Sequence, residues 1–196
     1  MRIEHDFLGE REIADDAYYG VQTLRAVENF PITGILIGHM RSFIAAFGFV
    51  KQAAASANRD LGVLEPHIAE AIIKACDHVI AGELDDQFIV DVIQGGAGTS
   101  TNMNANEVIA NKALEILGYE KGRYDIVHPN NHVNASQSTN DAYPTAFRLS
   151  VWYEIQFLVK ALERLSESFK AKGVEFKDVL KMGRTQLQDA VPMTLG

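Results

Sequence analysis

At 196 residues, 47% of them hydrophobic, the chain is long enough to fold around a real core, and its composition argues against disorder. A formal net charge of −8 with no basic stripe argues against nucleic acid as a partner. No apolar run approaches the ~20 residues of a membrane span, MRIEHDFLGE lacks the apolar core of a secretion signal, and the single cysteine, Cys76, excludes an internal disulfide and fits a reducing cytoplasm.

The first stretch, RIEHDFLGEREIADDAYYG, alternates weakly around Gly9 and reads as a short hairpin or extended arm. A short helix is predicted over 17–30, ended by Pro31. A longer helix is predicted over 38–60, with Met40, Phe43, Ile44, Phe47, Val50 and Ala54 on one face and Gly62 where it stops. The next begins near Pro66, buries Ile68, Ile72, Cys76, Val79 and Ile80, and is closed by Gly82. Residues 85–94 are apolar but short, and periodicity leaves strand and buried helical turn both open.

Then comes GGAGTSTNMNAN, residues 95–106. Its three glycines let the backbone bend and approach a ligand, and its hydroxyls and amides offer uncharged hydrogen-bonding groups. Thr101 is placed to cap a helix over 103–117, so that free N–H groups of its first turn face the loop and could hold an anion. A plain capped helix after a flexible loop explains the same residues; the loop has neither the Lys-Ser/Thr of a P-loop nor dinucleotide-fingerprint spacing.

A polar connection over 119–139 leads to the longest predicted helix, 142–172. Phe147, Val151, Ile155, Leu158, Leu162, Leu165 and Phe169 recur along it at three- and four-residue spacing, a bundle seam that reads as core or subunit interface. Ser138, Thr139 and Asn140 precede this helix, with Asp141 as cap and Pro144 in the first turn, so a second helix N-terminus carries hydroxyls and an amide. A third polar segment is GRTQLQD, residues 183–189. Thr185 and Gln188 have capping-box spacing, while Pro192 favours a loop. His128 and His132 are four apart like paired metal ligands, but Pro129, Asn130 and Asn131 make that stretch a loop; neither a metal nor a cofactor is expected. The chain stops at VPMTLG just after a new segment begins, which reads as a truncation.

Taken together, RIEHDFLGEREIADDAYYGVQTLRAVENF, GGAGTSTNMNANEVIAN, HPNNHVNASQSTNDAYPT and KMGRTQLQDAVPMTLG resemble the aspartase/fumarase superfamily over essentially the whole chain, in the family's order. Within it the chain is more similar to aspartate ammonia-lyases than to class II fumarases. Fumarases usually carry Ser-Ser-Asn where Ser138-Thr139-Asn140 stands and a different pattern at Tyr18-Tyr19-Gly20; they, and some aspartases, carry a histidine at Gln186, whose amide exchanges no protons near neutral pH.

The resemblance implies a mainly α fold: an N-terminal helical domain with a hairpin arm over residues 1–140, then the start of a long-helix bundle over 141–196, which in the family forms a twenty-helix tetrameric core. It implies reversible elimination of ammonia from L-aspartate to fumarate through an enediolate, with Thr99, Ser138, Thr139, Asn140 and Thr185 contacting the substrate. The family base, a serine in a GSS-x-MP-x-K-x-N loop, is absent from residues 1–196, so no catalytic base is expected here and the chain alone is expected to be inactive. The implied partners are a small dicarboxylate or amino-acid substrate and three further copies in a homotetramer, with no nucleic acid and no membrane. A class II fumarase, or a non-catalytic helical oligomerisation piece, are the alternatives.

Overall fold

The N-terminal arm is a two-stranded antiparallel hairpin, β1 (Arg2–Asp6) and β2 (Gly9–Ile13), with Arg2 opposite Ile13 and Asp6 opposite Gly9. The computed structural model describes residues 1–196. Arg25 fastens the hairpin: its Nε and Nη2 donate to both oxygens of Asp6 at 2.8 and 2.7 Å, a bidentate pair that holds the Asp6 carboxyl below its usual pKa.

Helix α1 (Val21–Asn29) is shorter than the predicted 17–30. Buried carboxylates decide where it starts. Glu107 accepts from the backbone N–H of Gly20, Gln22 and Thr23 and from the Thr23 hydroxyl, and Glu4 accepts from Val21 N–H. These acceptors satisfy the orphan donors of a first turn and complement its dipole. Helix α2 (Arg41–Asp60) begins three residues later than predicted. The preceding N–H groups of Ile37 and Gly38 are already committed to Val90 O and Phe88 O at 2.9 Å each, so 37–39 forms a 3-10 turn instead. The segment left open between strand and helical turn holds some of each. Asp85–Gln87 is a 3-10 turn, and Asp91 then pairs with Leu36 in a single β-bridge.

Helix α3 (Pro66–Ala81) follows the predicted bounds, and Gly62 and Gly82, both left-handed, end α2 and α3. Phe43, Ile44 and Phe47 of α2 and Ile68, Ile72, Cys76 and Val79 of α3 form one core with Val108, Ile109 and Leu114 of α4 (Thr99–Ile116). Helix α4 is the buried centre of this part of the chain, and its polar residues are buried too. Asn104 donates to Gln87 O and accepts from Ile89 N–H; Asn111 donates to Tyr18 O and the Tyr124 hydroxyl and accepts from Gly122 N–H. Asn104 and Asn111 thus satisfy backbone groups of loops that no regular structure serves. A short π-helical turn, Pro129–Val133, leads towards α5 (Thr139–Glu175).

The chain divides into two compact units, Met1–Val151 and Trp152–Gly196. In the second, β3 (Leu180–Thr185) and β4 (Gln188–Thr194) form an antiparallel hairpin with a register shift between Met182 and Arg184. The predicted loop with capping-box spacing is therefore a β-turn segment: Thr185 and Gln188 face each other across the hairpin, and Pro192 sits on a two-stranded ribbon, where both strands are edges and a missing N–H is tolerated. The seven seam residues of α5, Phe147 to Phe169, are all exposed, from 42% at Ile155 to 70% at Phe169.

Glu107 carries a testable consequence. Burial pushes its carboxyl up to about 7, against the pull of Thr23 and the backbone donors. Between pH 4.5 and 7 the folded protein then keeps a proton that the unfolded chain gives up, so this group's contribution to stability falls as pH rises through that window. Urea midpoints of the native protein are expected to fall from pH 5 to pH 7 relative to those of Glu107→Gln. Parallel profiles for the two proteins would remove Glu107 as the cause.

Candidate functional site

The glycine loop is held from behind by two side chains. Asp91 accepts from the N–H groups of Thr33, Gly34 and Ile93 and from the Thr33 hydroxyl at 2.7–2.8 Å. Burial pushes its carboxyl up, but these donors outweigh that and bring it to about 2. Gln94 donates to Asp91 O and the Thr101 hydroxyl and accepts from Thr101 N–H. Thr101 is consequently buried and is not the cap; the N-cap position belongs to Gly98, at φ +89°. Helix α4 starts at Thr99, four residues before the predicted start, because Gln94 replaces a capping side chain. The expected free N–H groups are partly spent, Thr99 N–H on Gly96 O and Thr101 N–H on Gln94.

At the start of α5 the cap is Ser138, whose hydroxyl accepts from Asn140 N–H at 3.1 Å and whose carbonyl accepts from Asp141 and Ala142 N–H. Asp141 lies in the first turn rather than at the cap. Gly98 lies against the Tyr143 ring, and Gln94, Ala97, Gly98, Asn140, Tyr143 and Pro144 line an open hollow of about 450 Å³. The structure therefore brings the glycine loop and the Asn140 segment together. Thr99, whose hydroxyl donates to Gly96 O at 2.6 Å, lines a neighbouring hollow of about 560 Å³ with Glu107, Tyr124, His128 and Asn130. Thr185 lies exposed on β3 in the second unit.

Backbone strain marks the same segments. Non-glycine residues take positive φ at only three places: Ala97 at 51°, Ser136 at 57° and Gln186 at 55°. One falls in or beside each of the three polar segments, and such conformations cost on the order of 1–3 kcal/mol each and persist only where the surroundings enforce them. The histidines take structural parts. His128 Nδ1 accepts from Asn130 and Asn131 N–H, and His132 Nδ1 accepts from His128 N–H. Burial lowers the pKa of both, and the His128 charge lowers that of His132 further. No group of three or more His, Cys, Asp or Glu side chains converges as a metal site would need.

The sequence reading missed Lys51. It is fully buried on α2, and its Nζ donates to Asn102 Oδ1 and Asn134 Oδ1 at 2.8 Å and to Gln137 Oε1 at 3.0 Å. Asn102 Nδ2 in turn donates to the Thr139 hydroxyl at 3.1 Å. Burial pulls the Lys51 pKa down to about 7, while three amide oxygens around Nζ call for three protons and favour the ammonium. The signal was available: Phe47, Lys51, Ala55 and Asn58 share one helical face, which places a lysine in an apolar row.

A buried asparagine-rich helix stands beside the start of a long one, with polar residues at both N-termini, and solved lyase structures share this fold. The fumarate lyase:delta crystallin structure from Brucella melitensis in its native form matches with a TM-score of 0.91 and 56% identity, over 100% of this chain and 44% of that one. A class II fumarase structure from Schistosoma mansoni matches at 0.86 and 38% identity, over 99% and 41%. Residues 9–196 match the family described as Lyase, and the chain belongs to it. Among curated proteins, aspartate ammonia-lyases of Helicobacter pylori J99 and Pseudomonas aeruginosa are 58% and 60% identical over the whole of this chain. The chain spans 42% and 41% of their lengths.

Proposed function

We propose that this chain supplies the N-terminal part of an ammonia-lyase subunit that reversibly eliminates ammonia from L-aspartate to give fumarate. The observation that carries the reading is the 57–60% identity to aspartate ammonia-lyases along the full chain, against 38% to the class II fumarase structure.

The chemistry requires a base to remove a proton beside the β-carboxylate, leaving a doubly charged enediolate, after which the C–N bond breaks and ammonia departs. Fixed donors lower that barrier when they are aimed at the developing charge. Thr139 and Asn140 are the donors assigned to it, at a helix N-terminus whose dipole favours anions. Ser138, Thr99 and Thr185 complete the substrate set, and the base comes from outside these 196 residues. Because the overall charge is −8, attraction for a dicarboxylate has to be local. The exposed apolar seam of α5 supports assembly as a homotetramer, since a stripe of that length in water would drive association. No helix is long and apolar enough to cross a membrane, and a buried unpaired Cys76 supports a cytoplasmic setting.

The assembled lyase is expected to release fumarate, followed by its absorbance, from L-aspartate and not from L-malate; the reverse preference would favour the fumarase reading. The 196-residue chain alone is expected to give no turnover. Fumarate formation that scales with this purified chain would overturn the assignment of the base to another segment.

A further inference from the structure

We propose that Lys51 is a positioning residue for the elimination: acting through the Asn102 amide, it fixes the Thr139 hydroxyl as a donor aimed at the substrate. The inference rests on the reading of Thr139 as a substrate contact and adds what makes that contact directional.

The argument begins with an uncompensated charge. Lys51 is 0% exposed and no carboxylate pairs with it; its three partners are all neutral amide oxygens. An unneutralised buried ammonium is costly, and a core of this composition does not need one for packing. The cation does dictate hydrogen-bond polarity. A free asparagine amide can present either its oxygen or its nitrogen to a neighbour. Beside the Lys51 ammonium only the oxygen of Asn102 is tolerated, so the amide nitrogen is forced to the other side. There it donates to Asn134 Oδ1 and to Thr139 Oγ1, both at 3.1 Å.

Thr139 Oγ1 is thereby an acceptor on its inner side. Its own proton has to point elsewhere, and no protein group accepts it. The sequence ammonium to amide oxygen, amide N–H to hydroxyl oxygen, and hydroxyl proton outward is a chain in which each bond polarises the next. It ends on the one half-buried hydroxyl that stands in the Ser138-Thr139-Asn140 segment at the start of α5. A dianion at that end meets a proton held out by a buried positive charge, with no cation exposed to unselective binding.

A staple that merely ties α2 to the 134–137 loop makes a different forecast, and Asn102→Asp separates the two. Aspartate has the same shape and gives Lys51 an anionic partner, which offsets the donor bond to Asn134 Oδ1 that the change removes, so assembly is expected to hold while the melting temperature falls. It cannot donate to Thr139, and it draws the hydroxyl proton inward. In the assembled lyase the expected result is a fall of ~100-fold in kcat/KM for L-aspartate at unchanged tetramer mass, the magnitude of losing one aimed donor. Thr139→Val is expected to fall similarly, and the double variant to lie within ~3-fold of Thr139→Val alone, because both changes act through one hydroxyl. Lys51→Met should repeat the fall if it folds. Wild-type kcat/KM in Asn102→Asp, or losses that multiply in the double variant, would overturn the relay. Unchanged kinetics in Thr139→Val would instead defeat the substrate-contact reading itself.

Discussion

Gly98→Ala is expected to destabilise the protein by about 2–4 kcal/mol, combining a left-handed backbone cost of roughly 1 kcal/mol with overpacking of roughly 1–3 kcal/mol. Its φ of +89° already disfavours a side chain, and an added Cβ would sit 2.2 Å from the Tyr143 ring. On its inner side that ring has little room to retreat. It stacks edge-on against Phe43 at 5.3 Å and meets Phe47 at 6.1 Å, and Phe43 and Phe47 are themselves buried. The strain must pass into the glycine loop or the start of α5, the two segments that line the Asn140 hollow. Gly118→Ala is the matched control, with φ of +82° and nothing within 4 Å of a built Cβ. Urea midpoints of the two variants separate the terms: Gly118→Ala should cost only the backbone part. Equal losses would mean that the Gly98–Tyr143 contact carries no packing constraint.

Where burial alone dictates the outcome, the fold was legible. Apolar residues at three- and four-residue spacing located α2 and α3, and Gly62, Pro66 and Gly82 marked their ends because glycine and proline act through local backbone geometry; the same spacing located α5, although its seam is exposed in this chain. Boundaries failed where distant groups compete for backbone donors. Val90 and Phe88 claim the N–H groups that would have started α2, and Glu107 and Glu4 set the first turn of α1. No local pattern encodes such partners. The 180–194 hairpin was missed because Pro192 was weighed against a helix, while its compatibility with an edge strand depends on there being only two strands.

The site divides in the same way. Clusters of hydroxyls and amides before two helices were visible as composition, and the glycine loop does meet the Asn140 segment. The place of Lys51 in an apolar row was readable, yet its role was not, because lysines on amphipathic helices ordinarily reach solvent along their stems. Only three-dimensional closure reveals that Asn102, Asn134 and Gln137, separated by up to 35 positions, surround its ammonium.

Asn140→Asp is expected to lower kcat/KM for L-aspartate in the assembled lyase by ~10³-fold without loss of stability. The side chain is exposed, lines the hollow beside Gly98, and its backbone N–H is fixed by the Ser138 hydroxyl, so the substitution disturbs no packing. An aspartate in the first turn of α5 gains from the helix dipole, typically 0.3–1 kcal/mol, and the melting temperature should hold or rise. Toward a substrate dicarboxylate the same charge repels: at about 4 Å and an effective dielectric near 20, two like charges cost roughly 4 kcal/mol, about three decades in rate. Asn140→Ala, which only removes the donor, should lose ~10²-fold. The ordering matters more than either value. Stability and activity move in opposite directions only if residue 140 faces the developing negative charge. An Asn140→Asp enzyme within ~3-fold of the native kcat/KM would remove Asn140 from the substrate contacts, and a loss no larger than that of Asn140→Ala would mean the anion does not approach this residue.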